Sequence, residues 1–324
     1  MPIRRLRDLS LPIAAALGLF GGLIDAGPLG AQDTLMTPAE AAAADPWLED
    51  PVDDATFRTF LDFYSYDDSV PLELRTDGRE ERDGVIVRRI TYQSTPGERV
   101  PALLYTSAAG LEGRPTLIEL HGATATGKDE PSYRVRAERL VRAGFNVLVF
   151  DMPLFGERST DRLRTYTNLE KHQKLYNRPA LYRDWVIQVA IDARRAVDLV
   201  IDLGADPDRI GLAGYSRGGI LAPIVGAVEP RFAAVAAILG GHMDALEQRH
   251  LAPACPANFI GRISPRPLLM IGGSYDSDHI RETSLEPLSE LAREPVRVVW
   301  SEAGHMLLPE HEELMTRWFR TQLR

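Results

Sequence analysis

The sequence predicts a three-layer α/β domain, with about eight mostly parallel strands and helices on both faces of the sheet. Three observations carry this expectation. Short, near-continuous apolar runs recur along the chain, amphipathic helical segments separate them, and a pair of alternating runs precedes them all. A parallel strand with helices on either side has no solvent-facing side, so its sequence is apolar throughout rather than alternating.

Taken in order, the chain of 324 residues opens on "MPIRRLRDLSLPIAAALGLFGGLIDAGPLGAQD". A basic start (Arg4, Arg5, Arg7), an apolar stretch from Leu9 to Ile24 and small residues up to Ala31 have the layout of an export signal cleaved after Ala31. The apolar stretch is short for a membrane span and holds Pro12, so no stable membrane anchor is expected. Residues 32–55, rich in Ala, Pro and Asp, read as a linker or loosely packed N-terminal arm, and 56–324 as the main domain.

"VIVRRITYQ" (85–93) and "RVPALLYT" (99–106) alternate apolar and polar residues around the turn-forming "TPGE", which predicts an antiparallel pair. The parallel strands are "PTLIELHG" (115–122), "FNVLVFD" (145–151), "RIGLAGYS" (209–216), "AAVAAILGG" (233–241), "PLLMIGG" (267–273) and "VRVVWSE" (296–302). Helices are expected at 133–144, ending on Gly144; at 181–204, stopped by Gly204 and Pro207; from Arg217 onward; and at 309–323. Two connections, 152–180 and 242–265, are too long for simple loops and leave the carboxyl ends of strands. Ligands of open α/β sheets bind at that edge, so these insertions are expected to wall a pocket.

The chemistry centres on "GYSRG", where Ser216 lies between Gly214 and Gly218. An apolar strand precedes it and a small-residue helix follows, which predicts a sharp turn that lifts the hydroxyl above the sheet. The helix N-terminus beyond it offers unpaired N–H groups to a developing oxyanion. A nucleophilic serine needs a base, and the base an orienting acid. His305 directly follows the last strand and is the expected base; His121 and His242 also sit at strand ends. Asp276, three residues beyond Gly273, is the expected acid, with Asp278 and then Asp244 as alternatives. For the oxyanion hole, the N–H of Arg217 is paired with that of Ala123, Thr124 being the alternative. The His121 side chain is expected to make a structural hydrogen bond within its turn.

From about Val85 to Arg324 the sequence resembles the α/β-hydrolase superfamily, and within it the dienelactone hydrolase and acetyl xylan esterase-like branches. The residues that carry the resemblance are "LHGA" (120–123), "FDMPLFGERS" (150–159), "GYSRGG" (214–219), "GGSYDSD" (272–278) and "EAGH" (302–305). It implies a Ser–Asp–His hydrolase without metal or cofactor. The nucleophile position holds serine, not the cysteine of true dienelactone hydrolases, and "HGATATG" lacks the triple glycine of hormone-sensitive-lipase-like esterases. The expected activity is hydrolysis of small or polymeric carboxylic esters through an acyl-enzyme. "GYSRGG" is also similar to the elbow of prolyl oligopeptidase-like peptidases, so a peptidase or an acyl thioesterase with the same three residues is the alternative.

Composition narrows the partners. Net charge is −9, and it would be −10 after cleavage at Ala31, which removes three arginines and two aspartates. Such a surface repels phosphate backbones, and no basic stripe with interleaved aromatics is present, so nucleic acid is not an expected partner. The same charge disfavours polyanionic substrates. Cys255 is the sole cysteine, so an internal disulfide is impossible and a buried structural thiol is expected.

Overall fold

The computed structural model describes residues 45–324, together with Thr37 and Glu40; the expected export signal (1–31) and most of the arm after it lie outside the described residues. Among the described residues nine strands form one sheet: β1 (Arg75–Arg82), β2 (Val85–Gln93), β3 (Arg99–Thr106), β4 (Thr116–Leu120), β5 (Asn146–Phe150), β6 (Ile210–Tyr215), β7 (Ala234–Ile238), β8 (Leu268–Gly273) and β9 (Val296–Ser301). Their spatial order is β1-β2-β3-β5-β4-β6-β7-β8-β9. β2 and β3 pair antiparallel with Ile90 opposite Ala102, β3 is antiparallel to β5, and every neighbour from β5 to β9 is parallel.

The strand beyond the expected eight is β1. Its sequence, RTDGREER, is polar throughout and solvent-exposed, so it lacks the alternation that marks a half-buried strand. Pairing with β2, with a register shift between Thr76 and Gly78, makes it an edge strand.

Five helices of ten residues or more flank the sheet among the described residues: α1 (Asp54–Phe63), α2 (Pro131–Arg142), α3 (Pro179–Asp202), α4 (Arg217–Val228) and α5 (Pro309–Gln322). α2, α3 and α5 begin on proline, which fits the first helical position because its missing N–H has no partner there anyway. For α3 this sets the start two residues before the expected Leu181. Side chains of β4 and β6 alternate between two cores, as a two-residue period requires. Ile118, Leu120 and Leu212 pack with α1, α3 and α4, while Leu117, Ala213 and Tyr215 pack with α2 and α5. α4, "RGGILAPIVGAV", has no polar face and is buried nearly all round.

Part of the arm is docked rather than loose. Asp45 is buried, the Val52 N–H donates to Asn258 Oδ1 (2.9 Å), and α1 places Phe57 and Phe60 against Phe259. Burying each such ring contributes roughly 1.5–3 kcal/mol. Both insertions are built from short turns. Residues 152–180 hold one-turn helices at Asp161–Arg164 and Asn168–Lys171 and a π-type turn at His172–Tyr176, running into α3. Residues 242–265 hold three 3-10 turns, Ala252–Ala254, Pro256–Asn258 and Ile260–Arg262.

Candidate active site

Ser216 joins β6 to α4 with φ +54° and ψ −116°, a conformation that L-residues avoid. Its N–H donates to Ile238 O (2.8 Å), and its carbonyl accepts the Ile220 N–H (3.0 Å), so both sides of the strained residue are tied down. The flanking glycines are steric necessities. A Cβ on Gly214 would lie 2.0 Å from Gly218 O, and one on Gly218 would lie 2.2 Å from Leu120 O.

The loops after β8 and β9 bring Asp276 and His305 to this serine. His305 Nε2 is 2.8 Å from Ser216 Oγ, and His305 Nδ1 is 2.8 Å from Asp276 Oδ2. A carboxylate only accepts, so Nδ1 carries the proton and Nε2 is free to accept from the serine. Asp276 Oδ1 receives the N–H groups of Asp278 and His279 (2.9 and 3.0 Å). Burial opposes the charge of Asp276, but its bonds to His305 and to the His279 N–H outweigh that and hold its carboxyl below the usual range. Burial likewise disfavours the imidazolium of His305. The hydrogen bond and charge of Asp276, helped by Asp278 and Asp244, overcome it and raise its pKa.

The alternative acids are placed elsewhere. Asp278 is exposed, and its Oδ2 lies 4.0 Å from His305 Nε2, on the serine side of the ring. Asp244 pairs with His172 Nε2 (3.2 Å) and faces Arg217 (3.8 Å).

The loop after β4 is held by a fully buried histidine. His121 Nδ1 donates to Gly122 O (2.6 Å), its Nε2 accepts the Met152 N–H (3.1 Å), and burial pushes its pKa down, keeping the ring neutral. Gly122 N–H donates to Tyr133 Oη (2.5 Å) and Thr124 N–H to Gly122 O (2.8 Å). Thr124 is thus committed within its own turn, whereas no acceptor among the described residues pairs with the N–H of Ala123 or of Arg217. Further along the loop, the buried Lys128 ammonium bonds to Asp151 (3.0 Å) and Asp129 (2.9 Å). Asp151 also accepts the Lys128 and Glu157 N–H groups, so this network anchors the loop to the end of β5.

The Arg217 guanidinium, for which the motif implies no role, turns inward. It pairs with buried Glu247, faces Asp244, and lies 4.1 Å above the ring of Tyr176. Burial opposes the charge of Glu247, but Arg217, joined by His250 and His172, outweighs it and holds the carboxyl well below its usual range. Because Glu247 belongs to the 242–265 insertion and Tyr176 to 152–180, one side chain ties both insertions to the serine turn. Glu247, Tyr176, Tyr133 and Lys128 escape a motif reading because each acts through a contact distant in sequence.

Two groups among the described residues bring three metal-ligating atoms within 4.8 Å of one another: Asp276, Asp278 and His305, and the buried Asp45, His242 and Cys255. In the second, His242 Nε2 is 3.0 Å from Asp45 Oδ2, and Cys255 Sγ lies 3.8 Å from His242 Nδ1.

The family model for acetyl xylan esterase (AXE1) matches residues 67–240. Among solved structures, an acetyl xylan esterase from Paenibacillus sp. R4 is 16% identical, covering 86% of this chain and 99% of that one, with a TM-score of 0.64. Acetyl xylan esterase 1 from a Thermoanaerobacterium species is 15% identical over 86% and 98% of the two chains, TM-score 0.62. A glucuronoyl esterase from Solibacter usitatus is 15% identical over 84% and 94%, TM-score 0.56. At such identities the likeness is one of fold. No curated protein sequence matches the chain.

Proposed function

The chain belongs to the acetyl xylan esterase family and is a carboxylic ester hydrolase of the α/β-hydrolase superfamily; from that premise we propose that it works as a serine esterase through an acyl-enzyme on Ser216. The observation that carries this reading is the continuous relay from Asp276 through both nitrogens of His305 to Ser216 Oγ, with two 2.8 Å contacts.

His305 takes the Ser216 proton as Oγ attacks the ester carbonyl, and the N–H groups of Arg217 and Ala123 hold the oxyanion. The imidazolium then protonates the leaving alcohol. In the second half, neutral His305 activates water against the acyl-serine and returns the proton to Oγ. Asp276 keeps the proton of neutral His305 on Nδ1 and stabilises the charged ring in each half.

Acetyl groups carried by xylan-type polysaccharides are the proposed substrates, in line with the family's description. Action on such polymers suits an exported enzyme. The layout of residues 1–31 supports that reading, and no helix among the described residues is long and apolar enough to cross a membrane.

Ser216→Ala is expected to lower kcat by about 10⁴-fold or more and to abolish labelling by a fluorophosphonate. A variant that hydrolyses 4-nitrophenyl acetate near the wild-type rate would overturn the assignment. Rates on aminoacyl amides and acyl thioesters, run beside the esters, separate an esterase from a peptidase or thioesterase.

A further inference from the structure

A recess beside the proposed oxyanion loop has a chemical character opposite to that of the chain as a whole. Its apolar wall includes Ala125, Leu154, Phe155 and Leu175. Arg164 and Lys171 line it as well. Three contacts relate it to the elements around the serine turn. Ala125 is two residues from Ala123, Phe155 packs on the His121 ring (centroids 5.3 Å apart), and Tyr176, also in the lining, faces the Arg217 guanidinium.

Three further features converge here. First, the 152–180 insertion carries six basic and three acidic residues in a chain of net charge −9. Second, among the described residues no carboxylate lies within ion-pair distance of Lys171, and the one carboxylate paired with Arg164, which also donates to Gly156 O (3.1 Å), is the fully exposed Asp161. Third, the backbone forming the wall is irregular. Leu154 is held at φ +75°, and Leu175 and Tyr176 lie in the π-type turn. Conformations of this kind persist where surrounding contacts over-determine them, and they concentrate at ligand sites.

We propose that this recess is a subsite for a carboxylate borne by the ester substrate, such as that of a uronic acid unit, with Lys171 and Arg164 pairing to the anion and the leucines and Phe155 covering its carbon skeleton. The proposal rests on the ester-hydrolase reading and deepens it. The general repulsion of anions by the chain is reversed locally, at a wall beside the proposed oxyanion loop. Arg164 supplies a planar fork and Lys171 a point charge, a pairing suited to a carboxylate.

The test compares kcat/KM for acetylated xylo-oligosaccharides with and without a glucuronic acid side unit, and for 4-nitrophenyl hemisuccinate against 4-nitrophenyl butyrate. The first pair carries the carboxylate on the alcohol side and the second on the acyl side, so the two arms locate it. The ratio of charged to neutral substrate is read on the same protein, which cancels any general loss in a variant. The wild type is expected to favour the charged member of one pair by about tenfold, the scale of one charge-assisted hydrogen bond. That ratio should fall towards one in Lys171→Gln and in Arg164→Gln, mainly through KM, and shrink with added salt. Equal ratios in wild type and both variants, or a wild-type preference for both neutral substrates, overturns the subsite. Loss of all ester turnover in the wild type would instead strike the ester-hydrolase reading, so the two failures are distinguishable.

Discussion

Among the described residues, two histidine–carboxylate pairs that each face a further side chain differ in a way that bears on the proposed chemistry. His305 with Asp276 and His242 with Asp45 have nearly equal hydrogen bonds, 2.8 and 3.0 Å. Each faces a nucleophile-bearing side chain with its other nitrogen: Ser216 Oγ at 2.8 Å and Cys255 Sγ at 3.8 Å. Burial then decides. The His305 side chain remains 25% exposed and its pKa is raised, whereas His242 is sealed and burial pushes its pKa down in spite of Asp45. Burial also pushes the Cys255 thiol well up, so the reactive thiolate does not form. Ser216 sits on a strained turn beside unpaired N–H groups, while Cys255 lies in the core between two 3-10 turns. In the proposed mechanism the first pair moves protons, whereas the second ties the N-terminal arm to the body.

The largest expected contrast comes from the same substitution in both pairs. Asp276→Asn should lower kcat by about 10⁴-fold, because an amide no longer holds the His305 proton on Nδ1. Asp45→Asn should leave kcat intact and lower unfolding stability by about 1–3 kcal/mol, the range for a disturbed buried hydrogen bond. Paired kinetics and urea unfolding check this, and equal rate losses would break the distinction.

Next in size is Glu247→Gln, which strips the buried Arg217 of its closest counter-charge and should cost about 3–5 kcal/mol of stability. If chemical unfolding shows no change, Arg217 does not hold the insertions as argued. Smaller again is Cys255→Ala, expected to keep full esterase activity. In the folded wild type the thiol should resist a disulfide-exchange reagent and react only on unfolding. Fast labelling of the native protein would overturn the inert reading.

The smallest effect concerns pH. His305 must be neutral to act as base, so activity falls as pH drops through its pKa. Since that pKa is raised, the acid limb of kcat/KM should lie above the ordinary imidazole value of about 6.5. Asp278 is one of the charges raising it, so Asp278→Asn should shift the limb to lower pH. A limb that stays in place would deny Asp278 any influence on the site.

Much of the architecture was legible because it follows from local pattern. The apolar runs of β4 to β8 could be read directly, as could the ends of α2 and α3 at Gly144 and Gly204. β1 was not legible, because a polar edge strand owes its conformation to pairing with β2 rather than to its own residues. Nor was the docking of Asp45, which depends on His242 almost two hundred residues away. The site divides the same way. Ser216, Asp276 and His305 stand in recognisable order at strand ends, and the structure brings them within hydrogen-bond reach. Ala123 was the expected oxyanion donor with Thr124 as the alternative, and the turn that pairs the Thr124 N–H with Gly122 O leaves the Ala123 N–H as the unpaired one.

The sequence by itself thus determined the layered α/β plan, the glycine-flanked serine turn and the strand ends at which chemistry could assemble, since periodicity and steric necessity act over a few residues. Only the tertiary structure decided which buried histidine–carboxylate pair is accessible, where the Arg217 guanidinium goes, and where two cations meet an apolar recess. Burial and charge pairing are properties of neighbours in space, and the chain reveals those neighbours only once it has folded.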